Sequence, residues 1–278
     1  MPKLFEVIGA HPALRPAIPF YYRLRQDYSV NEEYLRVDTG NLWFFIEGGD
    51  GYVEWPNGRR YVTTPLLCTG PLTTSPRMRV SGPVECIGIP INPEAWGQLL
   101  GEHAFAFSDR AVDMQIVLGG LADEMAEVVR ATSDMRALAD GLDALLLPRL
   151  KPLPPSHRQL LGVIRSWLSA DLFPDVDALY ARCDLSSRQV MRIASQYFGG
   201  PPKLLSRKYG ALRTASAMLA NQGRPPAEAV SHYADQSHMI RELRAFTGRT
   251  PRGLMTRGSP ITREALTLAN FQEIVPYA

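Results

Sequence analysis

The chain has 278 residues, long enough for two domains, and its 45% hydrophobic and 21% charged residues are typical of a soluble globular protein. Three cysteines, in no CxxC or Cys/His cluster, indicate a reducing compartment and argue against a disulfide framework and a zinc site. The net charge is +2, the N-terminus lacks the apolar segment of a signal peptide, and no apolar run approaches the roughly 20 residues of a membrane span, so we expect a cytoplasmic protein that does not bind a membrane.

The chain between residues 18 and 92 has the pattern of short antiparallel strands. Apolar or alternating runs are separated by Gly, Pro, Asn and Asp residues, which favour turns. The runs are Ile18–Leu24, Leu42–Ile46, Tyr52–Trp55, Leu66–Thr69 and Val84–Ile91. Many short strands joined by tight turns predict an antiparallel β-barrel or β-sandwich.

Helical periodicity begins near Pro93, which suits the first turn of a short helix that extends to Leu100. Two amphipathic helices are predicted next, Ile116–Arg130 and Ser133–Leu147. Residues 148–155 then contain four prolines, which predict an extended interdomain linker. We therefore expect an α+β protein with a β-rich domain and trailing helices over residues 1–150, an all-helical domain over 151–258 and a C-terminal tail over 259–278.

The helical third carries most of the positive charge. Residues 157–258 contain 15 Lys and Arg against 7 Asp and Glu, a net charge of +8, whereas the rest of the chain has a net charge of −6. Such an asymmetry favours a module that binds a polyanion, attached to a domain that does not. A chance excess of solvated arginines would produce the same count, so the charge alone does not decide.

A segment of this helical third recurs after 49 residues. Residues 186–198 begin at Ser186 and align with residues 235–247, which begin at Asp235, and each copy is followed by Gly and then Pro. Ser and Asp are good N-caps, and Gly followed by Pro commonly ends a helix. Each copy therefore predicts a capped helix of about three turns.

Both predicted helices have an apolar face and a polar, arginine-bearing face. The apolar faces consist of Val190, Ala194 and Tyr197 in the first copy and of Met239, Leu243 and Phe246 in the second. A short helix precedes each copy, at Asp175–Arg182 and Pro226–Ser231, which is the helix-turn-helix pattern with its second helix in the major groove. The predicted DNA contacts on the polar faces are Ser187, Arg188, Gln189, Arg192, Gln236, Ser237, Ile240, Arg241 and Arg244.

Residues Lys203–Ala220 predict one long linker helix between the copies, about 27 Å long at ~1.5 Å per residue. Such a helix would hold two recognition helices about one DNA turn apart, roughly 34 Å. A helical repeat that binds protein, or that only packs, would show the same capped amphipathic helices. The caps, the basic faces, the repeat spacing and the local charge together favour double-stranded DNA as the partner.

These residues resemble the AraC/XylS family of bacterial transcription regulators. The second copy carries the specific part of the resemblance, Ala234–Arg241 followed by Phe246, Gly248, Thr250 and Pro251, and the first copy matches at Ser186, Arg188, Val190, Arg192, Gly199 and Pro202. The resemblance covers residues 157–257 and implies that the polar faces of both second helices contact DNA.

Three positions depart from the family pattern. Asp184 and His232 stand in the turns where the family usually has glycine, and both residue types tolerate a left-handed backbone better than most. Ala194 stands where the family prefers a large aromatic, which weakens the expected packing of the first unit.

The N-terminal region resembles, in general layout, the sensory or oligomerisation domains fused to such modules, and a cupin-like barrel fits this layout. Because no His lies between Pro12 and Glu102, a metal-dependent cupin enzyme is not expected, and we predict no catalytic residue, metal site or cofactor. Aromatic side chains are candidates to line an apolar effector pocket, although they would equally fill a barrel core: above all Trp43, Phe45 and Trp55, and also Tyr21, Tyr22 and Phe44.

The predicted function is a sequence-specific transcription regulator, modulated through its N-terminal domain by a small-molecule effector or by dimerisation. The resemblance implies a homodimer that forms through Ile116–Arg130 and Ser133–Leu147, and it makes RNA polymerase a further candidate partner. The alternative is a cupin-like enzyme with an accessory helical domain, which would require clustered ionisable groups that the N-terminal sequence does not show.

Overall fold

The computed structural model describes residues 5–257, 259–267 and 270–274. Ten described strands form two antiparallel sheets, and helices follow them, which confirms the predicted α+β class. The strands are β1 Phe5–Gly9, β2 Phe20–Gln26, β3 Val30–Tyr34, β4 Asn41–Glu47, β5 Gly51–Glu54, β6 Arg60–Val62, β7 Leu66–Thr69, β8 Arg77–Ser81, β9 Val84–Pro90 and β10 Ala111–Asp113.

The first sheet has six strands in the order β1-β2-β9-β4-β7-β10, and the second has four in the order β3-β8-β5-β6. Over the described residues no backbone hydrogen bonds join the two sheets into one. The strands therefore form two separate sheets and not a closed barrel. The sequence predicts β2, β4, β5, β7 and β9. It misses the other five, several of which are rich in charge and lack an apolar run, as in Val-Asn-Glu-Glu-Tyr of β3.

The six-stranded sheet is apolar on both faces, and neighbouring residues point to opposite sides of it. Tyr21 and Ile87 face the helices that follow the strands, whereas Tyr22 and Cys86 face the second sheet and the C-terminal helices. This is the period-two alternation of a strand, here used to build two cores.

Four helices follow the strands: α1 Pro93–Ala95, which continues as a π-helical turn over Trp96–Leu100, then α2 Met114–Leu118, α3 Gly120–Ala131 and α4 Met135–Leu146. The prediction of a single helix over Ile116–Arg130 is wrong, because Gly119 interrupts the helix between α2 and α3. Gly119 has φ 55° and ψ −138°, a conformation that a residue with a Cβ rarely adopts. The predicted helix Ser133–Leu147 corresponds to α4, whose N-cap Asp134 accepts a hydrogen bond from the Ala137 amide at 2.8 Å.

The apolar stripe that the sequence assigned to a dimer interface is largely covered within the chain. Met125 of α3 and Leu138 and Leu142 of α4 are buried in one core with Phe44 and Ile89 of the six-stranded sheet. The stripe itself is therefore satisfied without a second copy.

Eight helices make up the C-terminal region of the described chain: α5 Pro155–Ala170, α6 Val176–Ala181, α7 Ser187–Phe198, α8 Pro202–Ala220, α9 Ala227–His232, α10 Gln236–Thr247, α11 Pro251–Arg257 and α12 Pro260–Ala265. The segment expected as a tail thus contains α12, and Phe271 and Ile274 beyond it are buried. No described helix is long and apolar enough to cross a membrane.

The N-terminal sheets and the C-terminal helices share one core. A single cluster of buried side chains contains Leu24 and Val80 from the strands together with Leu161 and Leu212 from α5 and α8. The proline-rich stretch is tied down as well, because Lys151 donates its amide proton to the Gln98 carbonyl at 2.9 Å. The linker therefore does not separate two independent bodies.

Charged groups are buried where the two regions meet. Arg165 of α5 and Glu94 of α1 form an ion pair with side chains 0% and 4% exposed. Lys208 of α8 is 1% exposed, and its ammonium donates to the Asp38 carbonyl at 2.9 Å. Buried charges persist only when they are paired or hydrogen-bonded, so these contacts strongly constrain how the helices sit on the sheets.

The pKa of Lys208 predicts a pH dependence of stability. Burial lowers this pKa to about 8, although the nearby carboxylates of Glu273 and Asp38 oppose the shift. An unfolded lysine titrates near 10.4, so above about pH 8 the unfolded chain keeps a proton that the folded chain has released. The free energy of unfolding therefore gains a contribution as the pH rises from about 8 to 10.4, and loses it as the pH falls through 8.

Lys208→Met should remove this gain, whereas Lys203→Met, at an exposed position of the same helix, should keep it. Denaturant unfolding of the three proteins at about pH 7.5 and about pH 9.5 measures the difference. A pH dependence of Lys208→Met that parallels the wild type would contradict the prediction.

Candidate nucleic-acid interface

The first recognition helix candidate, α7, begins at a capping box. The Ser186 hydroxyl accepts a hydrogen bond from the Gln189 amide at 3.3 Å, and the Gln189 side-chain oxygen accepts from the Ser186 amide at 3.0 Å. Two amide protons that the helix start leaves without partners are thereby satisfied. The helix ends at Gly199, as the sequence predicts.

The second candidate, α10, has the same kind of N-cap without the reciprocal bond. The Asp235 carboxylate accepts from the His238 amide at 2.6 Å, and the helix ends at Gly248. Gly199 and Gly248 both have a left-handed backbone, with φ 79° and 70°. The 49-residue repeat of the sequence is thus a repeat of helix bounds.

The predicted apolar faces of α7 and α10 are buried. On the opposite faces, Ile240 is half-buried and the other predicted contact residues are exposed: Ser187, Arg188, Gln189, Arg192, Gln236, Ser237, Arg241 and Arg244. The backbone brings these residues onto two similar surfaces, each with arginines near the middle of the helix. Gln189 differs from the others because its side-chain oxygen is engaged in the capping box.

Arg192 lies close to α5 as well as to solvent. Burial, and then the positive charge of Arg192, lower the pKa of His157, whose ring nitrogen lies 2.9 Å from the Tyr197 hydroxyl. His157 and Tyr197 thus connect α5 to the buried side of α7.

The short helices α6 and α9 precede the two candidates, close to the predicted bounds. In the turn that joins each short helix to its candidate, Asp184 and His232 do not adopt the left-handed backbone that the sequence allowed. Among the described residues other than glycine, only Asp109 and Gln222 have a positive φ. His232 ends α9 and stacks on Phe173, with ring centroids 3.7 Å apart. This stack joins the segment before α6 to the end of α9, so the two units contact each other directly.

The linker helix α8 holds α10 through an ion pair that the sequence did not reveal. Arg207 of α8 contacts the Glu242 carboxylate at 2.6 and 3.1 Å and lies over the Phe246 ring at 5.9 Å. Glu242 is adjacent to Arg241, on the side of α10 that packs inward. The ion pair therefore helps to orient the helix and with it the exposed face.

The C-terminal ends of both candidates press against the N-terminal region. A Cβ at Gly199 would lie 2.3 Å from a carbon of Pro71, and a Cβ at Gly248 would lie 2.1 Å from the Tyr34 ring. The Ala245 carbonyl of α10 also accepts from the Ser75 amide at 2.8 Å, and Arg249 pairs with Glu33 at 2.6 Å.

A cleft of about 660 Å³ lies between α10 and the second sheet. Arg241 and Arg244 line it on one side, and Glu54, Trp55 and Arg77 line it on the other. The Glu54 carboxylate contacts both Arg60 and Arg77, so this wall carries a positive as well as a negative charge.

The structure separates the three predicted effector contacts. Trp43 lines a second cavity, of about 120 Å³, together with Tyr22 and with Phe5 and Phe20, which the sequence did not single out. Phe45 is not among the residues of that wall, and Trp55 borders the cleft beside α10, where its indole donates to Asp109 at 3.1 Å. Phe20 and Tyr22 are two residues apart on one strand and so lie on the same face of the sheet. This alternation could have identified Phe20 as a neighbour of Tyr22.

Within the described residues, no three His, Cys, Asp or Glu side chains form a group that could hold a metal ion. Cys68 and Cys86 are buried thiols whose pKa values burial raises to about 12. A thiol with so high a pKa is unreactive at neutral pH.

Solved structures similar to this chain have low sequence identity to it. No family model and no curated protein matches it. A crystal structure of ToxT from Vibrio cholerae shares 10% identity over 91% of this chain and 97% of its own, with a TM-score of 0.45. Another ToxT structure, described as bound to an unsaturated fatty acid, has a TM-score of 0.41. The AraC-like transcriptional activator CuxR shares 13% identity over 74% of this chain and 84% of its own, with a TM-score of 0.30. An AraC-like activator is thus among the solved structures similar to this chain.

The capping box predicts a matched pair of stability effects. Ser186→Ala removes the oxygen that accepts from the Gln189 amide and should lower the free energy of unfolding by about 1 kcal/mol. Ser187→Ala changes the next, exposed residue and should stay within about 0.5 kcal/mol of the wild type. Urea denaturation compares the two, and equal losses would show that the cap does not stabilise α7.

Proposed function

We propose that this chain is a transcription regulator of the AraC/XylS type that binds double-stranded DNA in a sequence-specific manner. The observation that carries the proposal is the structural repeat: α7 and α10 begin and end at equivalent residues, 49 positions apart, and both expose arginines opposite a buried face. The net charge of +8 over residues 157–258 supports a polyanionic partner.

In this proposal α7 and α10 are the second helices of two helix-turn-helix units, and each enters the major groove. Arg188 and Arg192 of α7, and Arg241 of α10, would contact guanine O6 and N7, the pair of acceptors that a guanidinium can bind together. Gln236 would contact adenine in the same way. Gln189 would have to give up its capping contact to do so, so we assign it a smaller share of base recognition.

We further propose that a small molecule bound in the cavity beside Trp43 modulates DNA binding. Glu33 lines this cavity, and its carboxylate also accepts from Arg249, just after α10, and from Thr262 of α12 at 2.8 Å. A ligand that displaces Glu33 would therefore disturb a contact that holds α10 in place. Residues 1–150 would sense the ligand, 151–258 would bind DNA, and 259–278 would close the cavity through α12.

The proposal includes a homodimer, RNA polymerase as a protein partner and a place in the cytoplasm, without catalytic activity, cofactor or membrane contact. Because the predicted stripe on α3 and α4 is buried or half-buried, a dimer would use an apolar side chain that stays exposed in this part of the chain, such as Ile116 of α2. Sedimentation of the full chain at tens of micromolar, where a single monomeric species would argue against the dimer, tests this part.

DNA binding should weaken steeply as salt rises, because a basic module must displace counterions from the phosphates. The logarithm of the binding constant should fall linearly with the logarithm of the salt concentration, by roughly 0.9 per phosphate contacted. Fluorescence anisotropy of the full chain on genomic fragments measures the slope. A slope near zero, or no binding at low salt, would exclude the proposed interface.

Arg192→Ala and Arg241→Ala should each weaken the specific site by about 1–3 kcal/mol and affect random DNA much less. Arg130→Ala is the control, because Arg130 is an exposed arginine of α3, outside the proposed interface. Anisotropy on the specific and on a scrambled duplex separates the two effects. If both substitutions weaken the two duplexes equally, these arginines contact phosphates and do not select sequence.

A further inference from the structure

The cavity beside Trp43 is lined by a group of aromatic rings. Phe5 stacks on Tyr22 with centroids 5.0 Å apart, Trp43 meets Tyr22 edge-on at 6.0 Å, and Phe20 lies tilted at 6.3 Å. These four side chains come from β1, β2 and β4 of the six-stranded sheet and form an apolar wall. Aromatic faces carry a negative quadrupole, so they attract cations as well as apolar groups.

The charged side chains of the same cavity are mostly acidic. Glu33, Asp38 and Glu264 line it, and Arg36 is the only basic side chain along the described wall. Arg36 is already bound by both oxygens of Glu273, at 2.7 and 3.3 Å. A ligand carboxylate could bind Arg36 only by breaking that bidentate pair. The free energy lost in breaking it exceeds the free energy gained from the new contact.

The acidic groups differ in how far they are neutralised. Glu33 is paired with Arg249 at 2.6 Å, and Asp38 is only 3.9 Å from Arg36. Glu264 is exposed, and its carboxylate accepts from the Asn270 amide group at 3.2 Å. No lysine or arginine whose side chain the structure describes forms an ion pair with it. The cavity thus offers a ligand aromatic faces and one carboxylate that has no cationic partner within the described chain.

From this arrangement we infer that the cavity binds a small organic cation with an apolar body, such as an alkylated or quaternary ammonium, and discriminates against carboxylates. The rings take the apolar body and the charge, and Glu264 supplies the countercharge at the rim. The inference rests on the proposed function only in taking this cavity as the effector site.

Three probes that share a benzyl group test the charge preference directly. Benzyltrimethylammonium is cationic, neopentylbenzene is its neutral carbon isostere, and phenylacetate is anionic. Titration of the full chain, followed by tryptophan fluorescence and by ligand-observed NMR, should show the cation binding at least about tenfold more tightly than the neutral isostere, with the anion weakest. Phenylacetate binding as tightly as the cation, or no preference between the cation and its isostere, would overturn the inference.

Two substitutions locate the site. Glu264→Gln keeps an oxygen for Asn270 but removes the charge, so it should weaken the cation roughly threefold and leave the neutral isostere unchanged. Trp43→Leu should weaken the cation about tenfold, and Trp43→Phe, which keeps an aromatic face, should weaken it less. Glu228→Gln and Phe105→Leu change an exposed carboxylate and an exposed ring outside the cavity, and they should have no effect. Cation binding that survives both Glu264→Gln and Trp43→Leu would place the site elsewhere.

DNA binding measured without any probe keeps this test separate from the proposed function. If the chain binds DNA but none of the three probes, the ligand class is wrong and the regulator stands. If the cation binds at this cavity and DNA does not bind, the ligand class stands and the regulator fails.

Discussion

The buried ion pair between Arg165 and Glu94 constrains how the C-terminal helices sit on the N-terminal region. Two charges that leave water together must stay together, because either one alone would be a buried, uncompensated charge. This requirement fixes α5 against α1, and the shared apolar core then packs α8 and Lys208 against the sheets. The cavity wall, the cleft beside α10 and the contacts of Glu33 all presuppose that one relative placement.

The helical repeat was predictable because its signals are local. The caps Ser186 and Asp235 and the glycines Gly199 and Gly248 each act within one turn of the helix that they bound, so the sequence contains the whole cause. The cause of the one wrongly predicted helix is local as well, since Gly119 is a residue type that can end a helix. The prediction nevertheless continued the helix through Gly119, because the amphipathic spacing continues on both sides of it.

The composition of the candidate effector site was less predictable, because it depends on contacts between distant parts of the chain. Trp43 and Phe45 lie on the same side of β4 by alternation, yet only Trp43 lines the cavity, whose wall also includes Ile261, Glu264 and Ala265 of α12 and Asn270. The proline-rich stretch shows a similar limit. Its composition specifies an extended backbone but not whether that backbone is free or, as here, bonded to a neighbour.

Gly248 illustrates what a shared core means for tolerated change. An isolated helix-turn-helix would accept asparagine at a left-handed helix end, because only the backbone conformation is restricted there. In the intact chain the Tyr34 ring occupies the place of a side chain at this position, so any residue but glycine meets both restrictions at once. The variation open to the helical module is therefore set in part by the sheet beneath it, and a module exchanged between chains of this kind must bring its matching sheet surface.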